Sequence, residues 1–250
     1  MLSLVESFIS IQGEGKYSGK YALFVRFAGC NLRCTGFGVN LKSLKTGEIL
    51  VGCDTIKAVE TSHFSYQNIS NLQELLNLSV AKIPINLKPI VVITGGEPLI
   101  HHKNHIFCEF INYLLNHKFE VHFETNGSVF VDFDKFSFLK SCIFCVSIKL
   151  SNSGEIRQNR INLDALRAIK KNAKDSFYKF VLNAKDISNL SKEIKEILDI
   201  VPNEVYCMPM GATQTEIISN AAKVCDFCIK NGYNYTDRLH IRLWNDKEGV

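Results

Sequence analysis

Between residues 89 and 230, β-rich apolar runs alternate with runs of helical period, and that alternation limits the folds open to this chain. Pro89-Ile-Val-Val-Ile-Thr94 reads as a buried strand, and strands are expected again at Phe119–Phe123, 142–148, Phe177–Leu182, Glu204–Met208 and, last, Arg238–Trp244. Ile106, Phe107, Phe110, Ile111, Leu114 and Leu115 keep a helical period, and further helices are expected at Leu163–Lys171, Ser188–Ile200 and about Thr215–Lys230. Upstream, residues 4–10 and Tyr21–Ala28 read as strands, and Asn68–Leu78 as a helix with Ser70 and Gln73 as a capping box. Strands alternating with helices build βαβ units and a parallel sheet. About six such units fit 250 residues, fewer than the eight of a closed barrel, so an open, partial α/β barrel is expected. The polar stretches at 94–98, 124–127, 147–149 and 208–211 fall at strand C-terminal ends, where such folds place their sites.

Hydrophobic residues make up 46% of the chain, which fits a packed globular protein and not a disordered one. A net charge of +4 admits an anionic ligand without requiring nucleic acid. The start, M-L-S-L-V-E-S-F, lacks a basic stretch followed by an apolar run, and no segment approaches ~20 apolar residues, so neither export nor a membrane span is expected. Nine cysteines, an odd number, fit the reducing cytosol, and a cytoplasmic location follows.

Cys30 and Cys34 are separated by three residues, and Cys53 lies nineteen positions after Cys34. Three thiolates suit an iron–sulfur cubane, leaving its fourth iron open to a chelating ligand; an ordinary loop pair or half a zinc site are the alternatives. Cys142 and Cys145 sit in a strand-like run, and Cys225 and Cys228 one turn apart on a helix; with Cys108 and Cys207 they read as buried apolar thiols. His101, His102 and His105 open a helix after a loop. Gln12-Gly13-Glu14-Gly15 is either a plain glycine turn or a loop whose backbone meets a ligand, and Arg26 reads as a solvated charge on an edge strand. Thr55 fits a helix N-cap.

Cys30-Asn31-Leu32-Arg33-Cys34, preceded by Phe24-Val25-Arg26-Phe27-Ala28-Gly29, resembles the cluster loop of radical S-adenosylmethionine enzymes. More narrowly, S-I-Q-G-E-G at 10–15, G-C-D-T at 52–55, T-G-G-E-P at 94–98 and E-T-N-G at 124–127 resemble the 7-carboxy-7-deazaguanine synthase family, from about residue 6 to the end. The resemblance implies an open partial TIM-type barrel (β6/α3-like) in a single domain over 1–250, with the cluster loop and an insertion at about 29–55. It implies conversion of 6-carboxy-5,6,7,8-tetrahydropterin to 7-carboxy-7-deazaguanine with loss of ammonia, on the route to queuosine and other deazapurines. The cofactors implied are a 4Fe–4S cluster, S-adenosylmethionine and magnesium; the partners are the pterin, a flavodoxin-like or other one-electron donor and a second copy of the chain, with no nucleic acid or membrane. Carried over by position, Cys30, Cys34 and Cys53 hold the cluster and Thr55 the magnesium. Gly96, Glu97, Ser147, Ile148, Lys149, Met208, Pro209, Met210 and Gly211 meet S-adenosylmethionine. Ile11, Gln12, Gly13, Glu14, Arg26, Thr94 and His240 meet the substrate.

The chain also departs from the pattern. The superfamily loop commonly reads C-x3-C-x-aromatic-C, whereas seventeen residues and then Gly52 precede Cys53 here. The aromatic beside the cofactor adenine must then come from elsewhere, with Phe37 the candidate. Ser147-Ile148-Lys149 stands where the family has Ser-Pro-Lys. A glycyl-radical-enzyme activase would share Cys30, Cys34 and G-G-E-P but have no use for S-I-Q-G-E-G or C-D-T. A zinc-bound nucleic-acid module would need a basic patch and compact C-x2-C pairs.

Overall fold

The computed structural model describes residues 2–247 and 249. Its strands are β1 (Leu2–Ile11), β2 (Tyr21–Phe27), β3 (Val39–Lys42), β4 (Ile49–Gly52), β5 (Gln67–Ile69), β6 (Ile90–Gly95), β7 (Val121–Thr125), β8 (Ile143–Val146), β9 (Asp175–Leu182), β10 (Glu204–Pro209) and β11 (Asn234–Tyr235). Its helices are α1 (Ile56–Val59), α2 (Leu72–Leu78), α3 (His105–Asn116), α4 (Arg157–Arg160), α5 (Leu163–Asn172), α6 (Ile187–Ile200), α7 (Gln214–Asn231) and α8 (Leu239–Trp244). Nine strands form one sheet in the order β11-β10-β9-β8-β7-β6-β2-β1-β5. From β2 to β11 every neighbour is parallel, while β1 runs antiparallel to both β2 and β5. The order is that of an open sheet, with β11 and β5 at its ends.

Side-chain parity along these strands separates two faces. Leu23, Val25, Phe27, Val91, Ile93, Val121, Phe123, Phe144, Val146, Tyr178 and Phe180 point to the outer face and pack in one core with Phe107, Phe110, Leu114, Leu166, Ile194 and Val224 of the helices. The amphipathic stripes of α3, α5, α6 and α7 are buried there, each large side chain contributing about 1.5–3 kcal/mol. The inner face carries two small apolar clusters, Ala22–Phe24–Ile90–Val92 and Ile143–Cys145–Phe177, both closed by Tyr17. Arg26, Thr94, Glu124 and Lys179 make much of the rest of that face polar, with Val181 and Met208 between them.

The structure departs from the sequence expectations at three places. The last strand, expected at Arg238–Trp244, is the two-residue β11 followed by helix α8. Leu239, Ile241 and Leu243 alternate as in a strand, but six residues do not separate the two periods, and only Ile241 is buried while Leu243 is exposed. Helix α2 starts one element later than Asn68, because 67–69 pair with β1. Its cap is Asn71, which accepts from Glu74 N at 2.9 Å, and Glu74 returns to Ser70 N at 2.8 Å, one residue on from the expected Ser70–Gln73 box. Of the three histidines only His105 opens α3; His101 lies in the turn Pro98–His101 and faces the Ala28 carbonyl at 2.8 Å. Among the described residues no helix is long and apolar enough to cross a membrane.

Candidate active site

The polar inner face opens into a cavity of about 650 Å³ at the strand C-terminal ends. One wall is made by residues 12–20, which leave β1 and cross beneath the inner face before β2. Lys16 pairs with Asp175 at 2.9 Å and Glu204 at 3.0 Å, and Tyr17 donates to Asp175 at 3.1 Å; both acids start their strands, so this turn plugs the sheet at its N-terminal edge. Anchored there, and by Gly15 N on Thr236 Oγ1 at 2.7 Å, the loop turns Gln12, Gly13 and Glu14 into the cavity. Gln12 Nε2 donates to Glu124 Oε1 at 3.2 Å, and Thr94 Oγ1 donates to Glu124 Oε2 at 3.1 Å. A Cβ on Gly13 would come within 2.2 Å of His240 Nδ1 and 3.2 Å of His240 N, so a larger residue there would displace the His240 ring.

The opposite wall is the cysteine loop, seated on the turns that follow β6 and β7. Glu97 N donates to the Gly29 carbonyl at 2.9 Å, and a Cβ on Gly96 would lie 2.5 Å from that oxygen and 2.7 Å from Cys30 Cβ. Glu97 itself is 0% exposed, accepting from Leu99 N (2.9 Å), Thr125 Oγ1 (2.7 Å) and Asn126 N (2.6 Å). Burial raises the pKa of its carboxyl, and the three donors oppose that shift. Asn126 Nδ2 then donates to Asn31 Oδ1 at 3.0 Å, and Asn31 to Ser128 Oγ at 2.7 Å. The E-T-N-G turn thus grips the cysteine loop from one side while G-G-E grips it from below.

The residues between Cys34 and Cys53 are a β-hairpin. Val39 pairs with Gly52 and Lys42 with Ile49, so the two ends of the insertion return to the same place and Cys53 reaches the cavity beside Cys34. Leu50, Ile56 and Phe64 form its small core, and Phe37, Gly38, Val39 and Asn40 line the cavity. Gly36 lies against the backbone of 152–154, where a Cβ would meet Asn152 O at 2.3 Å.

Cys30, Cys34 and Cys53 line this one cavity, and each of the first two feels the charge of the next. Burial pushes Cys30 up to about 12 and Cys34 up to about 11, and raises Cys53, so all three are thiols until a metal displaces their protons. Among the described residues no three His, Cys, Asp or Glu side chains are gathered closely enough to hold a single ion. Thiolates are soft ligands, and three on one cavity are a donor set that an iron–sulfur cluster takes. Thr55 is the residue before α1, but its side chain makes no cap hydrogen bond; its Oγ1 faces Cys53 Sγ at 3.2 Å.

The other end of the cavity holds a buried charge network. Lys179 and Arg238 both bond Glu14, and Arg238 also bonds Asp54. Burial alone would raise the pKa of Glu14, but Lys179, Arg238 and His240 hold it well below the usual carboxylate range. His240 is pushed down by burial, against the pull of Glu14, so it is neutral at pH 7, with Nε2 3.9 Å from Glu14 Oε1. Arg26 lines the same cavity and donates from Nε to Glu6 at 2.8 Å, beside the stacked pair Phe8–Phe24.

Of the residues expected from the sequence, Ile11, Gln12, Gly13, Glu14, Arg26, Cys30, Cys34, Cys53, Thr55, Thr94, Gly96, Ser147, Lys149, Met208, Met210, Gly211 and His240 line the cavity. Glu97, Ile148 and Pro209 do not. Glu97 is spent on the turn, as above, and Ile148 packs in the outer core. Phe37, expected near the adenine, also lines it, as do Glu124, Lys179, Asn183, Asp54 and Arg238, which sequence reasoning missed. A lysine inside the apolar run F-Y-K-F-V-L was the available signal for Lys179, since lysine is seldom buried without a task.

Residues 11–170 match the family model described as "4Fe-4S single cluster domain". The 7-carboxy-7-deazaguanine synthase of Halobacterium salinarum is 29% identical over 98% of this chain and 91% of its own length. The solved structure of QueE from Escherichia coli superposes with a TM-score of 0.62 at 21% identity, covering 95% of this chain and 94% of that one. Streptococcus suis SuiB bound to S-adenosylmethionine superposes with a TM-score of 0.53 at 12% identity, over 84% of this chain and 48% of that one. At these identities the superpositions speak for the fold.

Proposed function

Because the chain belongs to the 4Fe-4S single cluster domain family and, within the radical S-adenosylmethionine superfamily, to the 7-carboxy-7-deazaguanine synthases, we propose that it converts 6-carboxy-5,6,7,8-tetrahydropterin to 7-carboxy-7-deazaguanine, with release of ammonia. The observation that carries this reading is the single cavity with three thiols on one wall and the oriented acceptors of Gln12, Glu14 and Glu124 on the other. A glycyl-radical-enzyme activase would have no use for that second wall.

The 4Fe–4S cluster and S-adenosylmethionine, when bound, supply the one-electron radical chemistry. Cys30, Cys34 and Cys53 would hold the cluster, and Gly96, Ser147, Lys149, Met208, Met210 and Gly211 would border the cofactor. The pterin is rich in N–H donors along one edge, and a carboxylate kept ionised by two cations is a fixed acceptor for such an edge. Glu14 is that carboxylate, and Glu124 is held in one orientation by Gln12 and Thr94. Arg26 and the neutral His240 can donate to the substrate's carboxylate or carbonyl oxygens. The whole chain acts as one domain in this reading, in the cytoplasm, with a one-electron donor and a second copy as its partners. Anaerobic reconstitution with iron and sulfide, followed by turnover of the pterin with dithionite and S-adenosylmethionine, tests it: a product with the mass of 7-carboxy-7-deazaguanine is expected. Cleavage of S-adenosylmethionine with the pterin left unchanged would overturn it.

Magnesium belongs to the same proposal, with Thr55 as its protein ligand. A hydroxyl is a hard oxygen donor, and magnesium keeps several waters and accepts a substrate carboxylate. The absence of a cap hydrogen bond leaves the Thr55 hydroxyl free for this role apart from its contact with Cys53. Thr55→Ala is expected to retain iron and S-adenosylmethionine binding while losing most of the stimulation of turnover by added magnesium. An unchanged magnesium dependence would assign Thr55 to the helix start alone.

A further inference from the structure

Arg238 directly precedes α8 and is buried, and its guanidinium reaches three separate segments of the cavity wall. Nε donates to Glu14 Oε1 at 3.0 Å, Nη1 to the Gly211 carbonyl at 2.7 Å and Nη2 to Asp54 Oδ2. Glu14 belongs to the loop that closes the substrate end. Gly211 belongs to the turn between β10 and α7, and Asp54 stands between Cys53 and Thr55. The first and last of these lie 40 positions apart in the chain and share no ladder, so the two ends of the site are joined through one planar cation. A guanidinium can do this because its donors leave in fixed, different directions from one rigid plane; an ammonium cannot. Lys179 supports Glu14 from β9 but bonds none of the other segments.

We propose that Arg238 is the positioning residue that sets the substrate loop in register with the Cys53-Asp54-Thr55 turn, so that hydrogen-atom abstraction stays coupled to the substrate. This rests on the function proposed above. Radical chemistry is unforgiving of register, since a displacement of about 1 Å can cost on the order of a hundredfold in rate. Loosening the link lets S-adenosylmethionine be cleaved without product being made.

The test uses the reconstituted full chain with Arg238→Lys and, separately, Asp54→Asn. In Arg238→Lys the product formed per 5′-deoxyadenosine is expected to fall roughly tenfold, with iron content retained. Hydrogen exchange is expected to rise in both 12–15 and 53–58. In Asp54→Asn, which does not touch Glu14, exchange in 12–15 is expected to rise as well, because the link runs through Arg238; this arm stands even if Arg238→Lys fails to fold. A purely structural arginine would lower the melting temperature and leave the product ratio at the wild-type value, and that result, or exchange confined to 53–58 in Asp54→Asn, overturns the proposal. If the wild type itself makes no deazaguanine, the functional reading falls while the exchange data still decide whether Arg238 links the two segments.

Discussion

Cys53→Ala is expected to abolish cluster assembly, leaving iron at background after reconstitution, while Cys142→Ala and Cys225→Ala retain the wild-type iron content. The hairpin is the reason. Eighteen residues separate Cys34 from Cys53, yet the β3–β4 ladder pairs Val39 with Gly52 and brings the chain back, so that both cysteines border the same cavity. Cys142 lies in the outer core, on the far side of the sheet from that cavity, and Cys225 lies on α7. Neither can substitute for a ligand without refolding the strand or helix that carries it. Full iron incorporation in the Cys53 variant, measured together with the broad thiolate-to-iron absorbance, would move the third ligand elsewhere.

Gly96→Ala is expected to cost the chain most of its iron although Gly96 offers no ligand of its own. Its Cβ would lie 2.5 Å from the Gly29 carbonyl oxygen and 2.7 Å from Cys30 Cβ, and the first of these is backbone that cannot rotate away. Glu97 N holds the same carbonyl, so relief means pulling the cysteine loop off its seat. Overpacking of this kind costs about 1–3 kcal/mol, and here the displaced atom belongs to the residue before Cys30, a proposed cluster ligand. The expected result is a melting temperature several degrees lower in the cluster-free chain and iron content well under half of wild type. Gly19→Asn is the control: nothing lies within 4 Å of a Cβ there, and asparagine bears the positive φ of +87° at less strain than most side chains. Equal iron content in the two variants would contradict the seat assigned to Gly96.

The parallel sheet was legible in the sequence because each central strand is a short apolar run ending in glycine or polar residues. The polar motifs fell at strand ends because that is where the chain leaves the sheet. The C-terminal run was misread since Leu239, Ile241 and Leu243 alternate as a strand does, and nothing local says that β11 already occupies the sheet edge. The hairpin could have been found: L-K-S-L-K-T-G-E carries a turn glycine, Gly47 at φ +75°, between two short β-rich pieces. Glu97 was placed against the cofactor on its motif alone, whereas its carboxylate is consumed by Leu99, Thr125 and Asn126. The link from Glu14 to Arg238 to Asp54 spans most of the chain, and pairings at such separation leave no periodic trace.

In the proposed enzyme Cys30, Cys34 and Cys53 hold one cubane cluster whose remaining iron is open to S-adenosylmethionine, in the cavity proposed for the pterin. Electron paramagnetic resonance of the dithionite-reduced, reconstituted protein, recorded before and after adding S-adenosylmethionine, decides whether they do. The expected result is about four irons per chain and a reduced-cluster signal whose g-values shift on adding the cofactor. A signal that S-adenosylmethionine leaves unchanged, or one stoichiometric zinc in place of iron, would contradict it.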